Sequence, residues 1–263
     1  MTQPPIRFED GAAYERGMGA WSRLAGEIFL DWLAPPAGLR WIDVGCGSGA
    51  FTELLVQRFA PSDMQGIDPS EAQLAFARTR PAAGAATFQL GDAQALPFDN
   101  ARFDAAVMAL VIFFVPDPAK GVAEMTRVVR LGGTVAAYAW DMAGGGFPFH
   151  PIQAELRAQG IASALPPSVD AARTEALQAL WTEAGLEEVE TRVISVRRVF
   201  TDFEDFWRSS TITGSIGPTI AGMSAADLER LRGGVRARVE QDADGRVIHH
   251  ARANAIKGRV PKS

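Results

Sequence analysis

Cysteine is almost missing from this chain: Cys46 is the single one among 263 residues. That excludes an intrachain disulfide framework and makes a reducing cytoplasm the expected location. Long hydrophobic runs are missing too. The longest, Ala105 to Val115, is eleven residues against the roughly 18 needed for a membrane-spanning helix, so it reads as a buried strand and no membrane span is expected. The opening MTQPPIRFEDG has no basic stretch leading into an apolar run, so no secretory leader is expected either. Blocks of like charge are also absent. With 26 Lys and Arg against 31 Asp and Glu, the net charge is −5, and nucleic acid is not an expected partner. The most basic segment, LERLRGGVRARVE, carries Arg230, Arg232, Arg236 and Arg238 among Asp227, Glu229 and Glu240, which suits a solvated helix face.

What is abundant is apolar residue, 47% of the chain, enough for a substantial core in one domain over residues 1–263. From Ala12 to Leu33 the positions Tyr14, Met18, Trp21, Leu24, Ile28, Phe29 and Trp32 recur at steps of three and four. That spacing predicts an amphipathic helix, stopped by Pro35-Pro36. Strand and helix patterns then alternate: strands near 40–45, 64–68, 86–90, 103–110 and 133–140, with helices near 50–59, 70–79 and 117–130 between them. Alternation of this kind predicts an α/β fold, a doubly wound and mostly parallel sheet covered on both faces. Beyond Trp140 a helix near 173–184 leads to a strand in VETRVISVRRVF, and the last strand is expected at 246–257. About 45 residues separate these two strands. They are expected to pair antiparallel at one sheet edge, with 201–245 inserted as a helical cap.

The stretch WIDVGCGSGA puts Gly45, Gly47 and Gly49 directly after a strand and before a helix. Glycines there let backbone N–H groups approach a ligand at the carboxyl edge of a sheet. Gly45, Gly47 and Ala50 also fit a dinucleotide fingerprint, which by itself is a weak signal. Asp68 ends the next strand, placed for ribose hydroxyls, although with Pro69 behind it a helix N-cap is an equally simple role. Asp43 lies inside the first strand, where a carboxylate is costly unless hydrogen-bonded. Asp92 follows the third strand at the same edge and is placed to accept from an adenine amino group. Cys46, inside the loop, reads as a small filler.

In order, IDVGCGSG, GIDPS, GDAQALPF, FDAAV and VRLGGTVAAYAWD resemble the motifs of class I S-adenosylmethionine-dependent methyltransferases, in particular the small-molecule branch called methyltransferase type 11, related to quinone methyltransferases. The resemblance covers about residues 14–141. It implies a cofactor-binding core over 41–141 that takes S-adenosyl-L-methionine and releases S-adenosyl-L-homocysteine. Gly45, Gly47 and Gly49 would face the methionine part, with Asp43 supporting the turn; Asp68 and Pro69 would meet the ribose, Asp92 and Ala93 the adenine, and Leu110 the methionine portion. YERGMGAWS resembles the helix that closes over the cofactor in this group, making 12–33 a lid with Tyr14 and Trp21 as contacts whose ring faces attract the sulfonium. One departure is Leu131, where the family commonly has proline before paired glycines.

Displacement at a sulfonium requires alignment and dryness more than a fixed catalytic group, so no catalytic residue is assigned. His150, in FPFHP just past the sheet edge, is the candidate base should the acceptor need one. No metal is expected. The acceptor is expected to be a small, partly apolar molecule beneath segments 142–172 and 201–245, lined by Phe113, Phe114, Phe147, Phe149, Phe203 and Trp207. His249 and His250 are expected to be structural. Two alternatives remain: an NAD(P)-dependent oxidoreductase, although no Tyr-x-x-x-Lys pair is present, and a non-catalytic adenosyl-binding protein.

Overall fold

A computed structural model describes residues 15–162, 164–211 and 216–262. Eight strands form one sheet in the order β3-β2-β1-β4-β5-β8-β6, with β7 paired to β8. Strands β1 (Arg40–Val44), β2 (Asp63–Asp68), β3 (Thr87–Leu90), β4 (Phe103–Ala109) and β5 (Val129–Trp140) run parallel. β6 (Glu187–Phe200), β7 (Glu240–Gln241) and β8 (Val247–Arg259) add antiparallel pairs at one edge. β1, β2 and β4 are buried at nearly every position, as strands covered on both faces must be.

The chain leaves β1 toward β2 and β4 toward β5 in opposite directions across the sheet. Right-handed crossovers therefore put the two sets of helices on opposite faces. One face carries α1 (Ala20–Leu33), preceded by a wide turn at Glu15–Gly19, then α2 (Ala50–Phe59) and α3 (Glu71–Ala77). The other carries α4 (Pro118–Val128) and, after α5 (His150–Ala158), the helix α6 (Thr174–Glu183). Local chemistry fixes several starts. Ser70 accepts from the Gln73 N–H, and Asp117 accepts from the Lys120 N–H with Pro118 behind it. α1 ends at Ala34, held at φ 44° before the two prolines.

Two boundaries differ from the sequence expectation. The apolar run Ala105–Val115 is not one strand: β4 ends at Ala109, Leu110 turns at φ 64°, and Ile112–Phe114 form a 3-10 turn. The Leu110 N–H still donates to the Tyr138 carbonyl at 2.8 Å, so the chain bends away from the sheet only after its last ladder bond. At the other point, α4 stops at Val128 and β5 starts at Val129 with no separating loop.

β6 and β8 outrun the rest of the sheet. Trp140, the last residue of β5, faces Ala253, while β6 and β8 stay paired from Ile194–Ala253 to Phe200–Val247. At about 3.4 Å per residue this ribbon stands about 20 Å past the carboxyl edge. Between its strands lie α7 (Phe203–Thr211), α8 (Ile216–Ala221) and α9 (Ala225–Arg236). α9 packs on α5, and α7 packs on the turn at Glu15–Gly19. Among the described residues, no helix is long and apolar enough to cross a membrane.

Candidate functional site

The glycine loop leaves β1 through three left-handed residues, Gly45 (φ 76°), Gly47 (φ 51°) and Gly49 (φ 76°). Gly45 admits no side chain, because a Cβ there would come within 2.4 Å of Val111 Cγ1. Its N–H and that of Cys46 both donate to the Ile67 carbonyl, at 2.7 and 2.9 Å, which ties the loop to β2. Gly49 has another purpose: a Cβ there would lie 3.0 Å from Ala77 Cβ, so the residue lets α2 start close against α3. At Gly47 a Cβ would meet nothing nearer than Gln73 Oε1 at 4.0 Å, so the surroundings are open.

Asp68, at the end of β2, is 8% exposed. Its Oδ2 accepts from the Gly47 N–H at 2.9 Å and its Oδ1 from the Ser70 N–H at 2.8 Å. Burial raises its pKa, and the two N–H bonds only partly offset that. The helix behind it is capped by Ser70 and not by Asp68. Asp43 lies wholly buried under the loop. Its Oδ2 accepts from Thr52 Oγ1 at 2.7 Å, and its Oδ1 has no hydrogen-bond partner. Burial foremost, with the nearby Asp68 charge, pushes its pKa up to about 7 despite the Thr52 bond. Burial pushes the Cys46 thiol well up, which fits its role as a filler beside Leu74 and Phe88. Asp92 is exposed, and its Oδ1 accepts from the backbone N–H and Nε2 of Gln94 at 2.9 and 3.2 Å.

These groups surround one cavity of about 850 Å³ at the carboxyl edge. Of the cofactor contacts expected from the sequence, Gly45, Asp68, Pro69, Asp92, Ala93 and Leu110 line it. Asp43, Gly47 and Gly49 lie in or under the loop without lining it. Leu110 holds its left-handed turn without being glycine, a strained backbone at the cavity wall.

Several expected residues are not brought to the cavity. Trp21 is 1% exposed and sits against the ribbon, its ring 5.7 Å from His249 and 6.3 Å from Phe200, with the Arg198 guanidinium 5.2 Å from its centre. The neighbouring Ser22 and Arg23 face the cavity instead. Tyr14 lies outside the described residues. His150 starts α5 beside Gly145, away from the cavity wall; burial, Arg157 and Arg238 lower its pKa. Phe203 stacks on Trp207 at 6.1 Å and meets Phe206 at 6.3 Å, and Phe147 meets Phe149 edge-on at 5.3 Å, none of these rings lining the cavity. Of the six expected aromatics only Phe114 lines the cavity. Segment 142–172 contributes Leu165 and Pro167, and the described residues of segment 201–245 contribute none.

The sequence reading missed Ser22, Arg23, Phe51, Val111 and Tyr138. Tyr138 carried a usable signal, a polar-tipped ring in the otherwise apolar VAAYAW. It is buried with its ring 4.6 Å from Phe29 and 5.7 Å from Phe51, which joins β5 to α1 and α2. Ser22 carried a second signal, a hydroxyl inside a stripe that is otherwise buried and apolar.

A doubly wound sheet with a glycine loop after β1 and an acid at the end of β2 defines a nucleoside-binding α/β protein. Residues 42–137 match the family model described as Methyltransferase domain. The rice 2-methyl-6-phytyl-1,4-hydroquinone methyltransferase 2 (Oryza sativa) is 43% identical over 95 residues, 36% of this chain and 27% of that protein. The demethylmenaquinone methyltransferase of Roseiflexus castenholzii is 39% identical over 103 residues, 39% of this chain and 43% of that protein. The chain thus spans less than half the length of these relatives. Among solved structures, phosphoethanolamine N-methyltransferase 2 of Haemonchus contortus, bound to phosphomonomethylethanolamine and S-adenosylhomocysteine, shares the fold at a TM-score of 0.60 and 18% identity. That match covers 95% of this chain and 57% of that one.

Proposed function

We propose that this chain is an S-adenosyl-L-methionine-dependent methyltransferase acting on a small, partly apolar acceptor. One observation carries the reading: Asp68, a buried carboxylate with no cationic partner among the described residues, is held against the cavity by the N–H groups of Gly47 and Ser70. A carboxylate kept in that state is stabilised by further donors, and a ribose diol provides two. The site's other features fit the same ligand. The surroundings of Gly47 are open, Asp92 and Ala93 stand where an adenine would lie beside β3, and Asp43 keeps an unused buried oxygen under the loop.

The bound cofactor would supply an electrophilic methyl group on a sulfonium. The chain's own contribution is alignment and dryness. Leu110, held by its N–H bond to Tyr138, fixes the wall beside the methionine portion, and Asp43 and Thr52 brace the loop beneath it. Val111, Phe114, Val115 and Pro116 also line the cavity, an apolar surface suited to a ring or chain. The relatives reported above are named as a phytyl-hydroquinone methyltransferase and a demethylmenaquinone methyltransferase, and this wall is compatible with that class of acceptor. A net charge of −5 and one buried cysteine support a partner other than nucleic acid and a reducing, cytoplasmic location. No specific observation favours a dehydrogenase or a non-catalytic binder.

The test is transfer of labelled methyl from S-adenosyl-L-methionine to a panel of hydroquinones, phenols, amines and charged metabolites. Turnover of the apolar members supports the reading. Turnover confined to highly charged acceptors overturns the acceptor class, and binding of cofactor without transfer to any acceptor in a whole metabolite extract favours a binding module.

A further inference from the structure

Arg80 lies far from the glycine loop in sequence, past the end of α3, yet its guanidinium reaches back to it. Its Nε donates to the Ser48 carbonyl at 2.5 Å, its Nη2 to Ser48 Oγ at 3.3 Å, and its Nη1 to Glu53 Oε2 at 2.9 Å. The Arg80 and Glu53 side chains are only 13% and 12% exposed, and Ser48 is 4% exposed. Glu53 stands in the first turn of α2, and Ser48 sits between Gly47 and Gly49. A single planar fork thus spans the middle of the loop and the helix that follows it, a geometry open to arginine and not to lysine.

The peptide joining Ser48 to Gly49 is held from both ends. Arg80 takes its carbonyl, and its N–H donates to the Cys46 carbonyl at 2.9 Å. With three left-handed glycines, this segment has few internal restraints of its own. Its shape therefore depends on that peptide plane, and with it the direction of the Gly47 N–H that meets Asp68. We propose that Arg80 is a positioning residue for cofactor binding: through the Ser48 carbonyl it fixes the loop in its ligand-ready shape, while Glu53 serves to hold the guanidinium in place. This rests on the reading of the cavity as the S-adenosyl-L-methionine site.

The roles of the ion pair and of the carbonyl bond separate cleanly in two variants. Arg80→Ala removes both, whereas Glu53→Gln removes the charge pair but leaves an amide oxygen to accept from Arg80 and leaves the bond to Ser48 intact. Calorimetric titration with S-adenosylhomocysteine should show binding at least tenfold weaker in Arg80→Ala and within about threefold of wild type in Glu53→Gln. Arg80→Lys, the gentler change if alanine fails to fold, should resemble Arg80→Ala in affinity, with KM raised and kcat retained. Hydrogen exchange over residues 46–50, which needs no ligand, should be faster in Arg80→Ala and Arg80→Lys and unchanged in Glu53→Gln. Equal losses in Arg80→Ala and Glu53→Gln would reduce Arg80 to half of an ion pair and overturn the proposal, as would unchanged affinity and exchange in Arg80→Ala. Wild-type protein that ignores S-adenosylhomocysteine would overturn the cofactor reading separately, since the exchange experiment would still show whether Arg80 holds the loop.

Discussion

The two edges of the sheet treat their carboxylates in opposite ways. At the amino edge Asp104 faces two arginines: Arg40 donates from Nε, Nη2 and its backbone N–H, and Arg130 donates from Nε. Those bonds hold the Asp104 carboxyl well below the usual range. At the carboxyl edge Asp43 and Asp68 have no arginine or lysine among the described residues, and burial raises both. A carboxylate satisfied by the chain itself closes a structure, and one left short of donors waits for a ligand. Charge alone does not separate the two kinds, since all three are aspartates on or at the end of neighbouring strands. The partners separate them.

Four experiments break or sharpen that contrast. The largest effect is expected from Asp68→Ala, which should weaken S-adenosylhomocysteine binding about a thousandfold, some 4 kcal/mol, as measured by titration calorimetry. The melting temperature should hold, because the lost carboxylate is desolvated without a cation. Next come two glycines of like conformation. Gly45→Ala drives a Cβ into Val111 at φ 76° and should cost about 3 kcal/mol together with ligand binding. Gly245→Ala, at φ 80° with nothing within 4 Å of the new Cβ, should cost about 1 kcal/mol and leave binding alone. Urea denaturation reads both.

The pH dependence of stability should have opposite signs at the two edges. Asp43 has its pKa raised to about 7, so the folded state holds its proton where the unfolded chain has lost it. Its contribution is complete below about pH 4 and is lost as pH rises toward 7, about 4 kcal/mol that Asp43→Asn should remove from the pH profile. Asp104 has its pKa lowered, so its contribution is present above about pH 4 and is lost on acidification. Asp104→Asn should flatten the acid limb only. The smallest effect belongs to His150→Ala. Because its ring does not line the cavity, the single-turnover rate of methyl transfer should not change.

Much of this contrast was legible in the sequence, for a physical reason. Parallel strands buried on both faces and helices with one apolar stripe leave different periods, so β1 to β5 and α1 to α4 could be placed close to their observed bounds. Asp43 stood out because a carboxylate inside an apolar strand demands an explanation, and Asp68 and Asp92 because they end strands next to the glycine loop. Trp21 shows where pattern reading stops. α1 buries Trp21 and Ser22 alike, and periodicity does not say which buried residue meets the ribbon and which meets the cavity. The aromatics of 201–245 raise the same difficulty: Phe203 packs on Phe206, and Phe206 meets Phe200 and His249, whose places are set by how far β6 and β8 extend beyond β5. Arg80 left no signal at all: its role depends on a reach of 32 residues to Ser48 that only the fold creates.

The most direct measurement is calorimetric titration of the purified protein with S-adenosylhomocysteine, run in parallel with NAD. Micromolar binding of the first and none of the second is the predicted result. Binding of NAD with no response to S-adenosylhomocysteine would contradict the account, leaving a glycine loop and a ribose-binding aspartate that serve a different cofactor.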